Sequence, residues 1–415
     1  MIVDRPRYLD LLIAKKGNGL VKTVTGVRRC GKSFLLFELF KRYLIESGVP
    51  EGNIVEMAFD EFGARRMRNP NAFYPWAKER LSGGGERYLL LDEVQLLENF
   101  EEVLIGLSRI PGVDIYVTGS NAKLLSRDVI TEFRGRGDEI RVWPLSFSEF
   151  SSAWTGDARR RYEEYSVYGG MPATLNMNSS AKIAYLQSIF SEIYVNDIVE
   201  RNALRNTEGL ETLLDVLSSS VGSLTNPKRV ADTFKSSGLV LTSDTVRSYI
   251  DALRDAFIIE EAKRFDVKGR KYIGSPFKYY FCDLGLRNAR MNFRQVEPTH
   301  AMKNVLYNEL RARAFSVDVG IVTAYSKDDE GGSKRTNLEI DFVANKGSSR
   351  FYIQSAYAIP DREKRDQETR SLRGVSDSFK KIVVLRDPIV ARYDENGVLF
   401  VGLEEFLANE SYLEA

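Results

Sequence analysis

A chain of 415 residues is too long for one ordinary hydrophobic core and predicts two to four domains. Its 43% hydrophobic and 28% charged residues are those of a globular protein, and its net charge is only +1. That balance excludes a global pull onto nucleic acid or acidic membrane, so any such contact must come from a local patch.

The opening MIVDRPRYLDLL carries charges where a secretory signal needs an apolar core. No run approaches the ~18 apolar residues of a spanning helix. Two cysteines, Cys30 and Cys282, cannot build a disulfide framework and suit a reducing compartment. A cytoplasmic protein with no membrane partner is expected. From about residue 20 to 145, short β-rich runs alternate with helical stretches, which predicts an α/β fold with a parallel sheet. The run LVKTVT (20–25) is the first strand, and KSFLLFELFKRYLIESG (32–48) the helix after it, with Leu35, Leu36, Leu39, Phe40 and Tyr43 on one face. NIVEMAFD, RYLLLDE and GVDIYVTGS are the next three strand candidates.

Between the first strand and its helix stands GVRRCGKS (26–33), the pattern Gly, four residues, Gly, Lys, Ser. Each residue type has a reason. Gly26 and Gly31 let backbone amides wrap a phosphate, Lys32 meets the β- and γ-phosphates, and the Ser33 hydroxyl holds Mg²⁺ at a helix N-terminus. The expected ligand is ATP with Mg²⁺, cradled by Gly26, Val27, Arg28, Arg29, Cys30, Gly31, Lys32, Ser33 and Phe34. GTP is not excluded, because the loop reads phosphates and not bases. Arg28 and Arg29 are equally able to face the γ-phosphate, an internal acid or a neighbouring domain.

Further on, YLLLDEVQ (88–95) is an apolar strand ending in two carboxylates. Asp92 at its tip is the second Mg²⁺ candidate, and Glu93 is placed to polarise an attacking water. DIYVTGSNAKLL ends in Thr118, Ser120 and Asn121, of which Ser120 or Asn121 is the candidate γ-phosphate sensor; a plain turn with a helix cap is the other reading. EFRGRGDEIRVWPLSF supplies Arg134, Arg136 and Arg141. Arg136, between two glycines, is the candidate for transition-state charge, acting in cis or from a neighbouring subunit.

Residues 150 to 220 look helical, broken by YGGMPATLN (168–176). The stretch 226–266 reads as helix, turn, helix and β-wing, with Val230, Phe234, Leu239, Val246, Tyr249, Ile250, Leu253 and Phe257 as its core and Thr242 or Ser243 as a helix cap. Such a winged helix can enter a DNA groove. Its second helix, however, sets Asp244, Asp251 and Asp255 against Arg247 and Arg254, which repels phosphate. The wing KRFDVKGRK has five basic residues and one acid. DNA contact is therefore expected through Lys263, Arg264, Lys268, Arg270 and Lys271, with packing against a protein as the alternative. His300, the single histidine, would have to carry any triad or multi-histidine zinc chemistry alone.

In order, GVRRCGKS, LLLDEVQ, TGSNAKLLS, RGRG with WPLSFSEF, and YGGMP resemble prokaryotic ATPases of the AAA+ superfamily that carry a C-terminal domain of unknown function. The resemblance covers nearly the whole chain. It implies that Lys32, Ser33, Asp92 and Glu93 hold the Walker positions, and that Ser120 or Asn121 and Arg136 match the sensor and arginine positions. It also implies an acid-bearing strand beside the phosphate-loop strand. The last hundred residues, with strands at 319–325, 338–344 and 350–358, resemble the restriction-endonuclease-like fold. There Glu309, Asp341 and Gln354 fall on metal-ligand positions, but the lysine position holds Ala356. Without that amine the attacking water is not activated, so a degenerate, binding-only domain is expected.

The domains expected are an ATPase (1–155), a helical connector (156–206), a winged helix (207–290) and a nuclease-like α/β domain (291–415). The leading function is Mg²⁺-dependent ATP hydrolysis used as a conformational switch of the C-terminal domains. The alternatives are a slow-turnover, nucleotide-gated regulator holding DNA or a protein, and an ATP-regulated metal nuclease. A homo-oligomer follows only if the arginine acts in trans.

Overall fold

The computed structural model describes residues 2–119, 137–200, 202, 204, 207–236, 241–294, 297–327 and 333–414. The sequence candidates Ser120, Asn121, Arg134, Arg136 and Leu239 lie outside them. The chain divides into two units, 1–144 with 255–257, and 145–254 with 258–415.

The first unit is built on five strands: β1 (Val21–Thr25), β2 (Ile54–Ala58), β3 (Arg87–Asp92), β4 (Val113–Gly119) and β5 (Gly137–Arg141). They form one sheet in the order β2-β3-β4-β1-β5, and every pairing is parallel. Strands buried on both faces read as continuous apolar runs, which is why Leu89, Leu90 and Leu91 stand together in β3. One implication of the resemblance needs correcting. The acid-bearing β3 is not beside the phosphate-loop strand β1, because β4 lies between them. β5 escaped the sequence reading because GDEIR looks polar; it is an edge strand with mixed burial. The helix after the loop runs through Lys32–Phe34, a π-helical Leu35–Phe40 and Lys41–Glu46. Leu35, Leu36, Leu39, Phe40 and Leu44 are its buried apolar residues, while Tyr43 stacks on Phe40 at the margin. Phe257, assigned by sequence to the winged-helix core, belongs to the first unit instead, under the Arg141 guanidinium at 4.7 Å.

The second unit carries β6 (Leu224–Thr225), β7 (Ile259–Asp266), β8 (Lys271–Phe281), β9 (Ser316–Lys327), β10 (Ser333–Lys346), β11 (Ser349–Ala356), β12 (Lys380–Leu385), β13 (Arg392–Tyr393) and β14 (Val398–Gly402). All nine join one mixed sheet, ordered β13-β14-β12-β11-β10-β9-β7-β8-β6. Helices Pro227–Ser236 and Ser243–Asp255 precede the antiparallel β7–β8 hairpin, and Thr242 caps the second of them through the Thr245 amide at 3.1 Å. The hairpin is continuous with the C-terminal strands, since β7 pairs with β9 in parallel.

The YGGMP segment ends the helix Arg161–Tyr168 on Gly169 (φ 71°). A side chain there would strike the carboxylate of Asp283, which accepts from the Gly170 amide at 2.7 Å and the Leu286 amide at 3.0 Å. Burial raises the Asp283 pKa to about 6, with those backbone amides opposing part of the rise. The glycines are thus explained by a buried carboxylate in close contact with backbone. No described helix is long and apolar enough to cross a membrane.

Candidate functional site

The phosphate loop grows directly out of β1. All five strand residues are buried, and Gly26 turns the chain at φ 145°, where a β-carbon would collide with the Val142 carbonyl. Arg29 (φ 67°) and Gly31 (φ 100°) are both left-handed, and the helix begins at Lys32. That alternation turns successive amides toward one concavity at a helix N-terminus, which is an anion-binding geometry. The Lys32 ammonium is buried and donates to the Gly26 and Val27 carbonyls at 2.9 and 3.1 Å. Ser33 and Phe34 are exposed, as is Arg29; Cys30 is buried, its thiol directed at the Val142 carbonyl at 3.5 Å.

The acids stand together at the carboxyl end of β3, one strand removed from β1. Asp92 is 5% exposed, and its Oδ1 accepts from the Thr118 hydroxyl at the tip of β4. The same hydroxyl oxygen accepts from the Glu93 amide at 3.3 Å. Glu93 is half-buried in the left-handed region (φ 49°), and its Oε2 accepts from the Gln95 side-chain amide. Because β4 separates β3 from β1, Thr118 is the polar group held between the acids and the loop strand. Of the three polar residues that end DIYVTGSN, Thr118 is the described one: Leu91 pairs with Val117, so Asp92 stands opposite Thr118. Gln95 was missed altogether. Arg141, the described arginine of its segment, lies over the Trp143 ring at 4.4 Å.

The donor set fits Mg²⁺-nucleotide: a hydroxyl and a carboxylate are hard oxygen ligands, and the amide-lined loop with Lys32 suits phosphate. These features define the class, a phosphate-loop nucleotide-binding domain of the AAA type. Residues 18–151 match the model of an AAA domain, and residues 159–297 that of a domain of unknown function (DUF8612). The second match spans the segments that sequence divides at 206/207. Over 389 residues the chain is 33% identical to an uncharacterized protein of Haemophilus influenzae, covering 92% of this chain and 93% of that one. It is 26% identical over 361 residues to an uncharacterized protein of Methanocaldococcus jannaschii, covering 83% and 76%. A Walker-type ATPase of Pyrococcus abyssi superposes with a TM-score of 0.48 at 17% identity, over 70% of this chain and 96% of that one. The chain belongs to the prokaryotic AAA+ ATPases that carry a C-terminal domain of unknown function.

In the second unit the nuclease-like positions all have protein partners. Glu309, buried in the helix Pro298–Ala312, pairs with buried Arg313 at 2.7 Å, and Arg313 also donates to the Leu407 carbonyl at 2.8 Å. Asp341 and Gln354 are adjacent, with the Gln354 Oε1 accepting from the Asp341 amide at 3.3 Å. Asp341 is 1% exposed; its Oδ2 accepts from the Ser355 amide at 3.0 Å and its Oδ1 from Lys303 at 2.6 Å. Lys278 lies 3.8 Å from the same oxygen and 2.5 Å from Glu339. Burial works against the Lys303 ammonium, but the charge and hydrogen bond of Asp341 outweigh it and raise the pKa. So amines do reach this acid, from a helix and from β8, while Ala356 packs in the apolar cluster with Val322, Ile340 and Leu372. Among the described residues no three Asp, Glu, His or Cys side chains are grouped to hold a metal. Glu309 thus has Arg313 as an ion-pair partner, and the cations beside Asp341 are lysines from positions other than 356.

The wing residues Lys263, Lys268, Arg270 and Lys271 are exposed, and Arg264 is half-buried. Lys268 reaches back to the Thr323 carbonyl at 3.1 Å.

Proposed function

We propose that this protein binds ATP with Mg²⁺ and hydrolyses it to ADP and phosphate as a conformational switch for its C-terminal domains. The observation that carries the reading is the Gly26–Ser33 loop at the end of β1 together with the Asp92–Thr118–Glu93 network at the ends of β3 and β4, β4 being paired with both β1 and β3. Lys32 binds the β- and γ-phosphates, leaving the loop carbonyls that now accept from it. Ser33 and Asp92 hold Mg²⁺, which when bound neutralises charge on the phosphate oxygens. The Glu93 carboxylate orients the attacking water and accepts its proton, and Gln95 sets the position of that carboxylate beforehand. Asn121 senses the γ-phosphate, and Arg136 faces the charge that develops on it.

Lys32→Ala should lose binding of a fluorescent ATP analogue. Glu93→Gln should retain binding and lose turnover by about 10² or more, within the range a general base contributes. Turnover at the parental rate in Glu93→Gln would remove the base assignment.

Charge at the β7–β8 hairpin favours a second activity, binding of DNA phosphates by Lys263, Arg264, Lys268, Arg270 and Lys271 on a winged helix. We place the domain limits at 155, 206 and 290, and the protein in the cytoplasm. The C-terminal α/β domain holds a partner and does not cut, a reading supported by Ala356, which stands at the lysine position and packs in an apolar cluster. Arg136 in trans would make the active species a homo-oligomer; light scattering with and without ATP tests this.

A further inference from the structure

Arg5 is 3% exposed, at the N-cap of the helix Pro6–Ala14. Its Nη1 donates to the Cys30 carbonyl at 2.9 Å, and its Nη2 to the Trp143 carbonyl at 2.7 Å and the Pro144 carbonyl at 3.5 Å. Tyr8 flanks the guanidinium, whose carbon lies 4.5 Å from the ring centroid, and the Tyr8 hydroxyl accepts from the Trp143 amide at 3.2 Å. One buried cation therefore joins the inside of the phosphate loop to the segment leaving β5, far apart in sequence. The same segment touches the loop twice more, at Gly26 and at the Cys30 thiol, both against the Val142 carbonyl.

The geometry of the peptide bond gives this contact a consequence for phosphate. In a trans peptide the carbonyl and the following amide point in opposite directions in one plane. Holding the Cys30 carbonyl on Arg5 thus fixes the Gly31 amide on the opposite side of the Cys30–Gly31 peptide. Gly31, at φ 100°, has no side chain to restrict that plane by itself. A hydrogen bond from a cation also polarises the peptide, which strengthens its amide as a donor.

We infer that Arg5 is a positioning residue for the phosphate loop, locking the Cys30–Gly31 peptide so that the Gly31 amide is preset to bind phosphate. The inference rests on the reading of this loop as a phosphate binder. It also gives the WPL segment a role: its Trp143 carbonyl is the fixed point that holds the other half of the guanidinium. The guanidinium reaches the two carbonyls through separate nitrogens, Nη1 and Nη2, a fork that the single nitrogen of lysine does not reproduce.

The test uses the full-length chain and two variants, Arg5→Ala and Arg5→Lys. Hydrogen exchange is measured without added nucleotide, and fluorescent ATP-analogue binding is measured with Mg²⁺. Faster exchange is expected in the peptide 26–34 and not in β3, with Arg5→Lys between Arg5→Ala and the parent. Affinity for the nucleotide should fall about tenfold or more in Arg5→Ala, as for loss of a charge-assisted hydrogen bond. Unchanged exchange in 26–34 overturns the proposal whatever the affinity does. Exchange that rises equally in β3 also overturns it, because Arg5 would then only support folding. Should Arg5→Ala not fold, Arg5→Lys decides by the same criterion. A parent that binds no nucleotide refutes the ATP reading instead, and the exchange experiment still decides whether Arg5 orders the loop.

Discussion

Replacing Thr118 by valine would remove one hydroxyl and almost no volume. Thr118 is fully buried, so the methyl that takes the place of its oxygen meets the same neighbours. What changes is that the Asp92 carboxylate loses a donor and the Glu93 amide loses an acceptor. A hydrogen bond to a charged group contributes about 1.5–3 kcal/mol, and removing a buried hydroxyl recovers part of that, leaving a loss of about 1–2 kcal/mol. In a unit of this size each kcal/mol shifts the melting midpoint by about 2–4 °C, so a fall of about 5 °C is expected by thermal denaturation. The catalytic effect should be similar in free energy, since tenfold in rate is about 1.4 kcal/mol. Asp92 and Glu93 are adjacent, and displacement of reacting groups by a fraction of an ångström costs on the order of tenfold in turnover. Steady-state ATPase assays at saturating Mg²⁺-ATP should show kcat falling by about that factor with KM little changed. Thr118→Ser keeps the hydroxyl and should keep most of the rate. A Thr118→Val enzyme with parental kcat would refute the claim that this hydroxyl sets the acids.

Lys303→Met should destabilise the second unit by about 2–3 kcal/mol in urea unfolding. That is less than the 3–5 of a fully enclosed pair, because Lys303 is partly exposed and Lys278 remains near. Adding Asp341→Asn should restore part of the loss, and additive effects would show that the two residues do not act as a pair. Asp283 predicts a pH effect whose sign follows from its raised pKa of about 6 against an ordinary 3.8. Between those values the folded state keeps a proton that the unfolded state has lost, so this group's contribution to stability grows as pH falls through 6 and is complete below 4. The stability of the parent relative to Asp283→Asn should therefore rise by up to about 3 kcal/mol from pH 7 to pH 4; a flat difference would contradict it. Changing Lys263, Lys268, Arg270 and Lys271 together to serine should abolish salt-sensitive retention on duplex DNA, and unchanged binding would retire the wing as a DNA contact.

Much of the site was legible in one dimension because its chemistry is local. GVRRCGKS needs its glycines, lysine and serine within eight residues, and LLLDE places its acids at the end of an apolar strand. The parallel α/β pattern followed from the alternation of buried strands with amphipathic helices. Local pattern could not say which strands are neighbours. Pairing places β4 between β3 and β1, and only that order makes Thr118 the residue opposite Asp92. Nor could spacing reveal that Arg5 reaches Cys30 and Trp143, since those partners are 25 and 138 residues away. The nuclease-like tail makes the same point. Its motif letters occur in the expected order, but only the fold shows that Glu309 meets Arg313 and that Lys303 meets Asp341. Sequence alone thus determined the sheet type and marked out the candidate loop and acids. The tertiary structure decided which groups hold them in place, because a carboxylate or a peptide plane is oriented by whatever the folded chain brings against it.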